Sequence, residues 1–211
     1  MAGKNITLFD VETGGLKWHE TPITEIALVN FDLSSFKVNW EWQTYVKPYA
    51  GLKINPIVLE KTMVSMKDVS NGMESKDVVK KLIELFKQSN TAGGKDIGKT
   101  VFCGHNMIAF DSKFIEKLFQ TEEKNVWDYV DSSQHDTMVM ARNAWPNGEK
   151  NSLGECCKRI GYDLVGAHGA MADTRATFEL FKYLSNRLRM AGGVTSVATD
   201  GTKNHRKYFN F

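Results

Sequence analysis

Apolar and polar positions alternate first with a period of two and later with a period near 3.6, which divides the chain into a strand-rich opening and a helix-rich remainder. Residues 4–12, 23–31 and 36–47 read as strands; in the third, Phe36, Val38, Trp40 and Trp42 are expected on one face. Short polar connections between the three imply antiparallel neighbours. Residues 48–74, punctuated by Pro48, Gly51, Pro56 and Gly72, read as irregular. From there Val78, Val79, Leu82, Leu85 and Phe86 make the apolar stripe of a helix over 76–88. A Gly/Lys loop at 92–99 leads into a short buried strand at 100–104. Helices are expected at about 110–119, 136–144, 152–160 and 171–189, the third of them opened by a capping box, Ser152-Leu-Gly-Glu155. Strands first, then alternating helix and strand, predict an α/β fold: a mixed sheet flanked by helices. One domain over 1–190 is expected, followed by a Gly/Thr/Ser-rich tail at 191–211 whose Lys/Arg cluster and Tyr208, Phe209 and Phe211 are open to disorder, nucleic-acid contact or partner docking.

Carboxylates interrupt the apolar pattern at telling places. Asp10 and Glu12, at i and i+2 of the first strand, project from the same face. Two like charges on a core strand disfavour each other's ionisation and lose hydration, a penalty that a hard divalent cation with oxygen ligands removes. Asp111 heads the stripe Phe114, Ile115, Leu118, Phe119, and Asp173 heads Ala176, Thr177, Leu180, Phe181, so both acids face the interior at helix starts. Each alone reads equally as a helix cap. His168, five residues before Asp173 in a Gly-flanked loop, suits a general base because its ordinary pKa of about 6.5 permits proton transfer near neutrality.

Composition narrows the partners. The 211 residues carry a formal net charge of +2, too balanced for a protein that coats nucleic acid by bulk attraction, yet compatible with one that grips a chain end. Cys103, Cys156 and Cys157 match no zinc spacing and no disulfide framework, which suits a reducing compartment. No apolar run reaches membrane-spanning length and the opening lacks a secretory pattern, so a cytoplasmic location without membrane contact is expected. Gly93-Gly-Lys-Asp-Ile-Gly98-Lys99-Thr100 fits the letters of a P-loop, but a helix precedes it and a strand follows, the reverse of what cradling a phosphate requires. Trp18 is read either as a base-stacking residue or as sheet-edge packing, His105 as shaping a turn, and Asp136 as a helix cap.

Taken in order and spacing, Asp10-Val-Glu12-Thr, His105-Asn-Met-Ile-Ala-Phe-Asp111 and His168-Gly-Ala-Met-Ala-Asp173 resemble the motifs of the DEDD exonuclease superfamily, histidine subtype. That group includes polymerase proofreading exonucleases, RNase T and oligoribonuclease. The resemblance implies an RNase H-like fold and 3′→5′ hydrolysis of nucleic acid to nucleoside 5′-monophosphates. It implies two divalent ions, Mg²⁺ or Mn²⁺, held by Asp10, Glu12, Asp111 and Asp173, with His168 as base. It also places Thr13, Gly14, Leu16 and Asn106 near the substrate, with Trp18 as a further candidate. The expected partner is a nucleic-acid 3′ end, with single-stranded DNA favoured and RNA trimming as the alternative; a polymerase or replication partner is left open. A catalytically silent binding module and a metal-dependent phosphatase remain as competitors of other classes.

Overall fold

The computed structural model describes residues 4–147 and 150–191; the tail and its aromatic cluster lie outside them. Seven strands and seven helices follow in order. They are β1 (Asn5–Thr13), β2 (Ile23–Asp32), β3 (Val38–Tyr45), α1 (Pro56–Leu59), α2 (Met66–Ser70), α3 (Ser75–Ser89), β4 (Thr91–Ala92), β5 (Lys95–Asp96), β6 (Thr100–Gly104), α4 (Asp111–Thr121), β7 (Val130–Asp136), α5 (Thr137–Ala144), α6 (Leu153–Ile160) and α7 (Ala170–Ala191). A 3₁₀ turn, Val126–Asp128, precedes β7.

The main sheet has strand order β3-β2-β1-β6-β7. The first three are antiparallel and β6 and β7 run parallel to β1, the mixed sheet the pattern predicts. β1 is central, and its alternation sorts two cores. Phe9 and Val11 join Ile26, Leu28 and Phe102 against α3 and α4, while Ile6 and Leu8 join Val29, Phe31, Val101 and Cys103 against Phe178 and Phe181 of α7. By the same parity Asp10 and Glu12 lie on the α7 face. A third cluster, Ala141, Cys156, Leu180 and Leu184, ties α5 and α6 to α7. All three cysteines are buried and free, and burial pushes the Cys157 thiol up to about 11, so they serve as packing groups.

Five local expectations need correction. Phe36 does not continue β3: it sits in the preceding turn at φ +56° and packs with Phe31 and Phe181, on the opposite side of the sheet from Trp40 and Trp42. Residues 48–74 contain α1 and α2, each opened by a side-chain cap, from Asn55 and Ser65. The box at Ser152 does not form; Ser152 makes no side-chain cap, and Glu155 instead pairs with Lys158 at 2.8 Å. The 92–99 loop is a small β4–β5 hairpin rather than plain coil, still between a helix and a strand, which keeps it from being a phosphate cradle. Finally, the pattern places no strand at β7, since Val130-Asp-Ser-Ser-Gln-His-Asp offers almost no apolar alternation.

Phe102 links the two halves of the larger core, touching Phe9 (4.6 Å between ring centroids), Phe86 (5.4 Å) and Trp127 (6.0 Å). Phe102→Ala is expected to destabilise the fold by about 3–5 kcal/mol, read from the midpoint of chemical denaturation at unchanged slope.

Candidate active site

Parallel pairing between β1 and β6 ends at Leu8↔Cys103, so the last residues of β1 have no register partner in β6. Gly104 closes β6 at this point because a Cβ there would lie 2.6 Å from the Met107 side chain and 3.0 Å from the Phe9 carbonyl oxygen. The acidic side chains gather beyond that last pair.

Asp10 and Glu12 reach it from β1 and Asp173 from the first turn of α7; one carboxylate oxygen of each lies within 4.8 Å of the others. Asp111, 6% exposed, is not part of this trio. It comes from the other layer, as the first residue of α4, and its Oδ1 accepts the Val11 N–H at 3.3 Å, beyond the last β1–β6 pair. Neither Asp111 nor Asp173 acts as a side-chain helix cap: Phe110 is the cap residue of α4, and Asp173 lies inside α7. Capping therefore accounts for neither acid.

Electrostatics match this crowding. Burial first, then the charges of Asp111, Glu12, Asp173 and Glu25, hold the Asp10 carboxyl well above the usual range. Burial, then Asp173, Glu25 and Asp111, push Glu12 up to about 8. Burial likewise raises Asp111 against the opposing Val11 N–H, and raises Asp173 against the His168 N–H, which donates to its Oδ2 at 3.2 Å. The other oxygen, Asp173 Oδ1, is buried with no hydrogen-bond partner among the described residues. An all-oxygen donor set, an orphaned acceptor and mutual repulsion together fit a hard divalent cation.

His168 is exposed at φ +69° in the loop before α7, a left-handed conformation that histidine tolerates better than most residues. Its carbonyl accepts the Met63 N–H at 3.0 Å, tying this loop to the segment after α1. The remaining candidates divide. Thr13 is buried and donates to the Gly15 carbonyl at 2.7 Å, and Gly14 is clamped by bonds to Pro22 and Asn55, 2.8 Å each, so both shape a turn. Leu16 (79% exposed) and Trp18 (39% exposed) stand at the surface beyond that turn, Trp18 edge-on to His19. Asn106 is exposed at φ +66°. Asp136 is the cap of α5, as read from sequence, and does more: its carboxylate accepts the Asn106, Ile108 and Met138 N–H groups at 3.0, 3.2 and 2.9 Å. His105 spans Thr137 Oγ1 (2.9 Å) and the Asn151 carbonyl (2.8 Å), which fixes the same turn.

Glu25 is the residue sequence reasoning missed. It stands opposite Glu12 in the β1–β2 register, is 2% exposed, and adds its charge to those already acting on Asp10 and Glu12. A lone acid in Ile-Thr-Glu-Ile-Ala-Leu-Val reads as one solvated position; its burial by α7 has no local signal.

This arrangement of strand-borne and helix-borne acids can hold the divalent cations that phosphodiester hydrolysis uses. The exonuclease family of RNase T type matches residues 7–181. The chain belongs to that family of 3′→5′ exonucleases, whose members use divalent metals and act on nucleic acid. Ribonuclease T of Shewanella frigidimarina is 27% identical over 199 residues, covering 92% of this chain and 87% of that protein. The PolC-type DNA polymerase III of Clostridium perfringens is 26% identical over 91% of this chain, which spans only 12% of the polymerase. In fold the chain is similar to E. coli exonuclease I in complex with a dT13 oligonucleotide: TM-score 0.73 and 21% identity, over 90% of this chain and 43% of that one. Among the described residues no helix is long and apolar enough to cross a membrane.

A pH dependence follows. A carboxyl whose pKa is raised in the folded state binds protons more tightly there than when unfolded, so stability is lost as pH rises from the unfolded value through the folded one. For Glu12 that window runs from 4.5 to about 8. The metal-free protein is expected to melt at progressively lower temperature across this window. Added Mn²⁺ is expected to raise the melting temperature more at its upper end than at its lower end, as measured by differential scanning calorimetry.

Proposed function

We propose that the chain is a divalent-metal-dependent 3′→5′ exonuclease of the histidine subtype, which trims single-stranded DNA ends to nucleoside 5′-monophosphates. The observation that carries this reading is the convergence of Asp10, Glu12 and Asp173 within 4.8 Å, beside a loop that presents His168. Asp10, Glu12 and Asp173 hold the cations and Asp111 supports them from the α4 side. Divalent ions held there would supply charge neutralisation at the scissile phosphate and would acidify the attacking water.

The chain's own groups supply the rest. His168 takes the proton of the attacking water; its exposed loop lets the imidazole approach a bound strand, and the Asp173 bond to its backbone N–H fixes where the loop begins. Leu16 and Trp18, large apolar groups left in solvent at the rim, take the faces of the terminal bases. Thr13 and Gly14 serve by holding the turn that carries them, and Asn106 flanks the end of the strand from the loop that Asp136 organises. Cleavage at an end needs a grip on only a few nucleotides, which accords with a net charge of +2.

RNA trimming is the second reading. It is favoured by the match to ribonuclease T over 87% of that protein's length, whereas the structural relative was solved with DNA. The choice turns on contacts to the 2′ position. A polymerase partner is suggested only by the PolC-type relative, in which the matched region is a small part. Digestion of 5′-labelled single-stranded DNA, duplex DNA and short RNA at matched salt with Mg²⁺ or Mn²⁺ separates these cases. A ladder shortening from the 3′ end is expected with single-stranded DNA, and loss of a terminal phosphate alone would mark a phosphatase. Asp10→Ala and Asp173→Ala are expected to reduce cleavage to background. His168→Ala should slow it by about 10²–10⁴-fold while oligonucleotide binding persists. Near-normal turnover in either aspartate variant overturns the assignment.

A further inference from the structure

Glu25 poses a problem that the proposed chemistry does not absorb. It is buried, it faces Glu12 across the sheet, and its charge adds to the repulsion on Asp10 and Glu12. It is not one of the three carboxylates that converge. A neutral residue of the same size would relieve that repulsion, so the carboxylate must be compensated elsewhere.

Both of its oxygens are engaged. Oε2 accepts the backbone N–H of Ala170 at 3.2 Å, and Oε1 accepts from Gln43 Nε2 on β3. Ala170 is the fully buried first residue of α7, where an N–H has no partner within the helix and the helix dipole favours an anion. The start of α7 is held a second time from β2: Thr174 Oγ1 lies 3.4 Å from the Ala27 carbonyl and 2.7 Å from that of Ala170. Asp173 stands three residues beyond Ala170 and His168 two before it.

We propose that Glu25 is a positioning residue: by fastening the first amide of α7 to the sheet beside Glu12, it sets Asp173 and the His168 loop against Asp10 and Glu12. Glu25 touches neither substrate nor reacting atoms. The inference rests on the roles given above to Asp173 and His168, and its test has a readout independent of them.

Glu25→Gln retains an acceptor oxygen for Ala170, and its amide can meet a flipped Gln43; Glu25→Ala retains neither. Three measurements are made on the full chain: backbone hydrogen exchange over residues 166–173, Mn²⁺ binding by calorimetry, and kcat and KM on single-stranded oligonucleotide. Glu25→Ala is expected to speed exchange in that segment and to lower kcat by about 10–100-fold with KM within about twofold. Glu25→Gln is expected to restore exchange, Mn²⁺ affinity and kcat to within about threefold of the unaltered protein. Unchanged exchange in Glu25→Ala overturns the proposal. So does a Gln variant with weakened Mn²⁺ binding and depressed kcat, because the charge itself would then be a metal ligand. If the Ala variant fails to fold, Glu25→Asp takes its place: one methylene shorter, it is expected to lose the Ala170 bond and speed exchange over 166–173, and unchanged exchange there overturns the proposal. Should Asp10→Ala retain turnover, the failure belongs to the functional reading, while hydrogen exchange still reports on Glu25.

Discussion

Like charges forced together in a place with little water are the constraint around which this molecule is arranged. β1 is the central strand of the sheet and carries apolar residues to both cores, yet it ends in two acids on its α7 face. Burial and mutual repulsion hold the carboxyls of Asp10, Glu12, Asp111 and Asp173 above their usual range, so the fold disfavours them as anions. The groups nearby accommodate that tension: backbone amides are aimed at Asp111 and Asp173, and a helix start is aimed at Glu25.

Two layers contribute to one site from opposite sides of the sheet. α4 belongs to the core under Phe9 and Phe102, and α7 to the core under Leu8 and Phe31. They meet only where the sheet runs out. That explains why Asp111 stands apart from the trio while still lowering the tendency of Asp10 to ionise. It also explains why Asp136, at the end of the adjacent parallel strand, serves as scaffolding: its oxygens are spent on two amides of the turn that leads to Asp111 and on one at the start of α5.

How much of this was legible in the sequence depended on whether the signal was local. The apolar runs of β1 and β2 and the stripe of α3 are local, and they appear where the pattern put them. The three acids of the trio and His168 fall in segments whose spacing is read directly, and the fold brings those acids together. β7 was illegible because it is polar throughout and owes its extended form to parallel pairing with β6. Phe36 was misplaced because alternation cannot register a turn that moves the residue to the other face. Ser152 and Glu155 satisfy a spacing rule, but a nearby lysine takes the glutamate. Glu25 is acidic like many surface positions, and only the docking of α7 reveals it as interior.

The early end of pairing between β1 and β6 has a consequence for Asp111. Were β6 to continue further alongside β1, its carbonyls would compete for the Val11 amide, and Asp111 would lose its backbone donor. Gly104, which admits no side chain between Met107 and the Phe9 carbonyl, marks where that ladder must stop. Ladder length thus decides which acceptor the Val11 amide meets, a side-chain carboxylate or a main-chain carbonyl.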